Sequence, residues 1–172
     1  MINAKDAWCF LAVLCIVWFA SPASAQSGLY TPNAGVPERV ALMDAMRAAQ
    51  GSQAQFLVKY LKVFKGSGRS VAGAELSPAN PRNDIDALSG GMVFYEQLNG
   101  RWKAQYISGQ DGASSCADFV RAADVVIRRI NSIGAPKELM SPRFWTEYNS
   151  AKKSMAIYGD EGIDCGGFVS YF

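Results

Sequence analysis

The stretch GMVFYEQLNGRWKAQYIS, residues 91–108, constrains the fold more than any other part of this chain. At its centre lies Asn99-Gly100, the residue pair that best tolerates two successive positive φ angles. It therefore favours a two-residue type I′ turn, whose twist matches the strands it joins. Met92, Phe94 and Leu98 share one parity before the turn, and Trp102, Ala104 and Tyr106 share one parity after it. So short a turn fixes both direction and register. The chain must contain an antiparallel sheet, and its other segments are read around that sheet.

Upstream, residues 55–65 (QFLVKYLKVFK) also read as a strand, but with a conflict. Phe56 and Val58 share one parity and Leu61 and Val63 the other, so one unbroken strand cannot point all four inward. A β-bulge near Lys59-Tyr60 would reconcile them. Gly66-Ser67-Gly68 is a turn with no phosphate-loop context, and residues 69–76 (RSVAGAEL) return as a second strand. Residues 77–91, rich in Pro, Asn and Gly, read as a long loop. Before the sheet, residues 37–50 (PERVALMDAMRAAQ) form an amphipathic helix with Pro37 in its first turn and Gly51 as its stop.

After a break at Gly109–Gly112 the apolar period changes from two to three and four. Cys116, Phe119, Val120, Ala123, Ile127 and Ile130 make one helix face, with Ser114 or Ser115 as cap. Ser141-Pro142 opens a further helix with Phe144, Trp145, Tyr148, Ala151 and Met155 on one face, and Gly159 closes it. The expected fold class is α+β: one helix packed on an antiparallel sheet of about four strands, followed by a helical C-terminal half.

The N-terminus points to export. Lys5 supplies positive charge, Ala7 to Ala20 carries no charged residue, and Pro22 precedes the small-x-small site Ala23-Ser24-Ala25. Those fourteen apolar residues are short for a permanent span, which needs about 20. The expected organisation is a signal peptide at 1–25, a flexible lead at 26–36, a helix-plus-sheet domain at 37–112 and a helical segment at 113–172. The product would be periplasmic or extracellular, with no stable membrane anchor after cleavage.

Composition then removes whole classes of chemistry. The chain has no histidine, so neither a Ser-His-Asp nor a Cys-His site can be assembled from it, nor a His-ligated zinc site. No cofactor and no metal are expected. A net charge of +2 without a dense basic block gives no footprint for nucleic acid. Cys9 and Cys15 would leave with the signal peptide, which keeps Cys116 and Cys165. In an oxidising compartment two cysteines commonly pair, so a Cys116–Cys165 disulfide is one expectation for them.

The other lies in residues 162–172, GIDCGGFVSYF. Asp164, Cys165, Gly167, Phe168 and Val169 match a run that opens a helix with a cysteine near its N-terminus, where the helix dipole would draw off the thiol proton. This stretch resembles the nucleophile motif of the NlpC-like cysteine peptidases of bacterial cell walls, with Gly166 where that family carries serine. The resemblance implies Cys165 as nucleophile, with Asp164, Gly166 and Gly167 lining the substrate site, and peptidoglycan peptides as substrate. The family also needs a histidine on a later strand, and this chain has none, with seven residues after Cys165. The 113–172 segment would then be the start of an incomplete domain of this kind, without turnover as it stands. The competing expectation is a small secreted binding or inhibitory protein, stapled by Cys116 and Cys165, whose partner is another envelope component. The first half also has the pattern of small secreted domains of the cystatin or nuclear-transport-factor-like kind, which host binding and catalysis alike.

Weaker candidates complete the set. Asp84, Asp86, Glu96, Asp111 and Asp118 show no spacing that pairs them for acid–base work. Tyr95, Trp102, Tyr106, Trp145 and Tyr148 could line a sugar or peptide groove, or could be half-buried sheet and helix faces. Cys116 lies in SSCADFVR, which shares Cys-x-x-Phe-Val with the C-terminal motif.

Overall fold

In the computed structural model the described residues are 28–51, 55–66, 68–78, 91–108 and 115–159. The elements run β1 (Gly28–Tyr30), α1 (Pro37–Gln50), β2 (Phe56–Gly66), β3 (Arg69–Pro78), β4 (Gly91–Leu98), β5 (Arg101–Ser108), α2 (Cys116–Ser132), a 3-10 turn (Lys137–Leu139) and α3 (Pro142–Tyr158). The five strands form one sheet in chain order, each antiparallel to its neighbour. The α+β class stands.

The hairpin that opened the sequence argument forms as its chemistry requires. Asn99 and Gly100 both take positive φ, 51° and 76°, and Leu98 pairs with Arg101 across them. The conflict in β2 resolves at a bulge: Val58 pairs with Leu76, yet Tyr60 pairs with Glu75. The extra residue shifts the parity, so Phe56, Val58, Leu61 and Val63 all join one core.

Two features differ from expectation. The sheet has five strands because Gly28–Tyr30, read as part of a flexible lead, pairs with Val63–Lys65. Three residues are too few to show a period. What holds them is tertiary: the Tyr30 hydroxyl donates to Glu38 of α1 at 2.5 Å, and Lys65 of β2 sits 3.0 Å from the same carboxylate and over the Tyr30 ring. Secondly, the sheet is covered on both faces. Leu42, Met43 and Met46 of α1 pack with Leu61, Val63, Ala72, Ala74, Leu76, Val93, Tyr95 and Trp102. On the opposite face Val71, Met92, Phe94 and Ile107 pack with Phe119, Val120, Ala123, Val126 and Ile130 of α2, and with Leu139, Met140, Phe144 and Ala151. This second cluster joins the 37–112 and 113–172 segments. Strand β4 lies between the two cores, so Gly91 to Tyr95 are buried without alternation.

The helices start and stop as their ends predict. Ser115 caps α2, its Oγ accepting from the Asp118 N–H and donating to the Asp118 carboxylate. Ser141 caps α3 by accepting from the Phe144 N–H, with Pro142 at the first position. Gly51 closes α1 at φ 62°.

Candidate functional site

Strand β5 is the last of the sheet, and α1 lies over one of its faces. On the other face α2 approaches β4 and β5 without closing the space between them. The result is a cleft of about 430 Å³ lined by Phe94, Glu96, Gln105, Val125, Val126, Arg128, Arg129 and Ser132. Its floor is apolar, since Phe94 and Val126 are nearly inaccessible. Its rim is polar, and Val125 stands 44% exposed beside it.

Register explains how the sheet supplies its side. Phe94 pairs with Gln105 and Glu96 with Lys103, so β4 and β5 present these four side chains to the same face. Helix α2 supplies the rest from the shoulder of its apolar stripe: Val126 is core, Arg129 follows at three residues, and Arg128 lies on the outer flank. Arg129 donates to Glu96 in an ion pair between α2 and β4. Arg101, Lys103 and Arg128 are exposed and have no ion-pair partner among the described residues. The cleft edge is thus basic, and its one carboxylate is already taken.

A second polar cluster ties α3 to the sheet. Arg143 lies 3.1 Å from Glu75 of β3 and also donates to Glu147 one turn along its own helix. Burial pushes the Glu147 carboxyl above its ordinary value of 4.5, and the nearby Glu75 adds to this against the pull of Arg143. Tyr60 donates to the Glu138 carbonyl, and Tyr148 donates to Asp124, linking α3 to α2. These groups brace elements rather than face an open site.

The residues singled out from sequence fall into three sets. Asp164, Cys165, Gly166 and Gly167 lie outside the described residues, as do Asp84, Asp86 and Asp111. Asp118 lies in the first turn of α2 and is bonded to the Ser115 cap, and of the candidate carboxylates among the described residues Glu96 reaches the cleft. The aromatics do not gather. Tyr95 and Trp102 belong to the α1 core, while Trp145 and Tyr148 pack around Phe144 on α3 with ring centroids 5.0 and 6.3 Å away. Tyr106 lies on β5. Cys116 is the first residue of α2, 2% exposed, within the core shared by sheet and helices, and its sulfur is not a free thiol.

Gln105, Arg128, Arg129 and Ser132 were not visible as site residues in the sequence. The only sequence signal for them was that Arg128 and Arg129 sit beside, not opposite, the α2 apolar face. Among the described residues no three His, Cys, Asp or Glu side chains come together as a metal site, and no helix is long and apolar enough to cross a membrane. Comparison with known protein families, with characterised proteins and with solved structures finds no match to this chain.

Proposed function

We propose that this chain is an exported, non-catalytic binding protein of the cell envelope, stapled by a disulfide between Cys116 and Cys165. The observation that carries the reading is the state of Cys116: buried at 2% exposure, at the start of α2, and not a free thiol. A cysteine so placed serves the core and is closed to substrate. If Cys165 is its partner, the residue that would have been the nucleophile of an NlpC-like peptidase is consumed as a structural bridge. The absence of histidine supports the same conclusion, since this chain carries no imidazole to act as the general base that a Cys-His site uses. The open, mixed-character cleft beside β5 supplies a surface suited to binding. The partner class is another envelope protein or peptidoglycan peptides, met in the periplasm or outside the cell.

Intact-mass spectrometry of the exported protein tests this. A mass lower by two hydrogens than after reduction, with a peptide linking Cys116 to Cys165, is the expected result. Rapid alkylation of Cys165 in the native, unreduced protein overturns it and returns the peptidase-like reading. So does release of fragments from purified cell-wall peptides.

A further inference from the structure

We infer that the outer edge of β5, together with the cleft beside it, receives an extended acidic peptide segment of a protein partner as a sixth strand of the sheet. The inference rests on the binding-protein reading above and gives that reading a partner chemistry.

Three observations lead here. First, β5 runs for eight residues, Arg101–Ser108, and among the described residues it pairs only with β4. Its outer row of N–H and C=O groups is a template about 26 Å long, at ~3.3 Å per residue. The opposite edge of the sheet is the three-residue β1. Second, the charges along the β5 edge are of one sign. Arg101, Lys103 and Gln105 share a parity and are all exposed, and Arg128 of α2 lines the cleft together with Gln105. Glu96, which could neutralise Lys103 from the adjacent strand, is held by Arg129 instead. Third, the same charges find no complement in the simplest alternative occupant, a second copy. Antiparallel pairing of two β5 edges over their full length would set Arg101 of one copy opposite Ser108 of the other and Lys103 opposite Tyr106, so neither basic side chain would face a carboxylate. An acidic chain supplies the opposite charge that a second copy of this edge lacks.

The geometry also dictates the pattern of the incoming strand. Side chains on the cleft side would meet Arg101, Lys103 and Arg128, which calls for carboxylates at alternate positions. Those on the other side would lie by Trp102 and Ala104, which pack with α1, and are best apolar.

The probe is a capped nonapeptide alternating Glu and Val, titrated into the intact, oxidised protein. Calorimetry reads affinity and backbone amide shifts read location. Saturable binding that perturbs the β5 amides is expected. Charge reversal by K103E with R128E should weaken it by about tenfold or more, as should raised salt. A Lys-Val peptide should not bind. An acidic peptide N-methylated on its pairing edge should also weaken by about tenfold, because it keeps the charge and loses the ladder. No binding at millimolar peptide to a folded protein overturns the inference, and so does dimerisation through β5. Equal binding of the N-methylated peptide overturns it too, since the edge would then be a basic patch for any polyanion. The disulfide is measured separately, so a free Cys165 with intact β5 binding would sink the stapled-protein reading and leave this inference standing.

Discussion

At the scale of single residues, Gly73 carries the heaviest constraint. A Cβ built there would lie 2.2 Å from the Leu139 carbonyl oxygen and 2.7 Å from the Met140 sulfur. The methionine could swing away, but the backbone carbonyl of the 3-10 turn cannot. The smallest residue is thus what lets Leu139–Met140 lie directly on β3. Gly73→Ala should cost about 2–3 kcal/mol or more, read as a fall in the urea midpoint with little change in slope. Gly100 is constrained by conformation alone, with open space around it at φ 76°. Gly100→Ala should cost about 1–2 kcal/mol through the left-handed backbone. Glu147 gives a pH dependence. Its folded pKa is raised above 4.5 by burial first and by Glu75 second, so the folded state holds the proton more tightly than the unfolded chain. The resulting contribution is full below the unfolded value and lost as pH rises through the folded one. Stability measured by urea titration from about pH 4 to 7 should therefore fall less steeply in Glu147→Gln than in the parent protein. An identical slope in the two proteins would refute the assignment.

At the scale of elements, the bulge in β2 is the decisive device. It allows one strand to place Phe56 and Val58 in the same core as Leu61 and Val63. Deleting Lys59 would remove the extra residue and leave Phe56, Val58, Leu61 and Val63 on one parity of an unbroken strand, so both pairs would stay in the α1 core. Each buried apolar side chain is worth about 1.5–3 kcal/mol and none is turned out, so the shortened strand should keep cooperative thermal unfolding with a stability change smaller than that. The cap of α3 is a smaller matter. Ser141 is buried and accepts from the Phe144 N–H at 3.2 Å. Ser141→Ala should cost about 1–2 kcal/mol, checked by thermal denaturation, because the freed donor has no water to turn to. Both devices were legible in the sequence, since each follows from residues adjacent in the chain. The five-strand count was not. Strand β1 owes its place to Tyr30, Glu38 and Lys65, which meet only after folding.

For the molecule as a whole, one sheet separates two hydrophobic cores. The α1 core is built by the first part of the chain alone. The opposite core needs α2, the 3-10 turn and α3 returning to the sheet. A bridge from Cys116 to Cys165 would close a long loop around α2 and α3 and stabilise the fold by about 4 kcal/mol in the chain-entropy model. Under the proposed reading, reduction should lower the unfolding free energy by about that amount, and Cys116→Ser should reproduce the loss. If reduction leaves the urea midpoint unchanged, the bridge has no structural role. The two-sided layer also explains why β4 defies a simple parity rule: Val93 and Tyr95 face one core, Met92 and Phe94 the other, and only Leu98 at the turn emerges, 42% exposed.

The sequence by itself determined what depends on neighbours along the chain: the Asn99-Gly100 hairpin, the serine caps at 115 and 141, the glycine stop at 51, the parity conflict that demanded a bulge, and the apolar stripes of three helices. A stripe states that a helix must be covered, and periodicity carries no address for the surface that covers it. The tertiary structure alone decided that α1 and the α2–α3 pair take opposite faces of one sheet, that Gly73 must admit a carbonyl, and that Arg128, Arg129, Gln105 and Glu96 share a cleft. The physical reason is the same in each case. These contacts join residues far apart in sequence, and their energies come from shape and charge complementarity that exists only once the elements have packed.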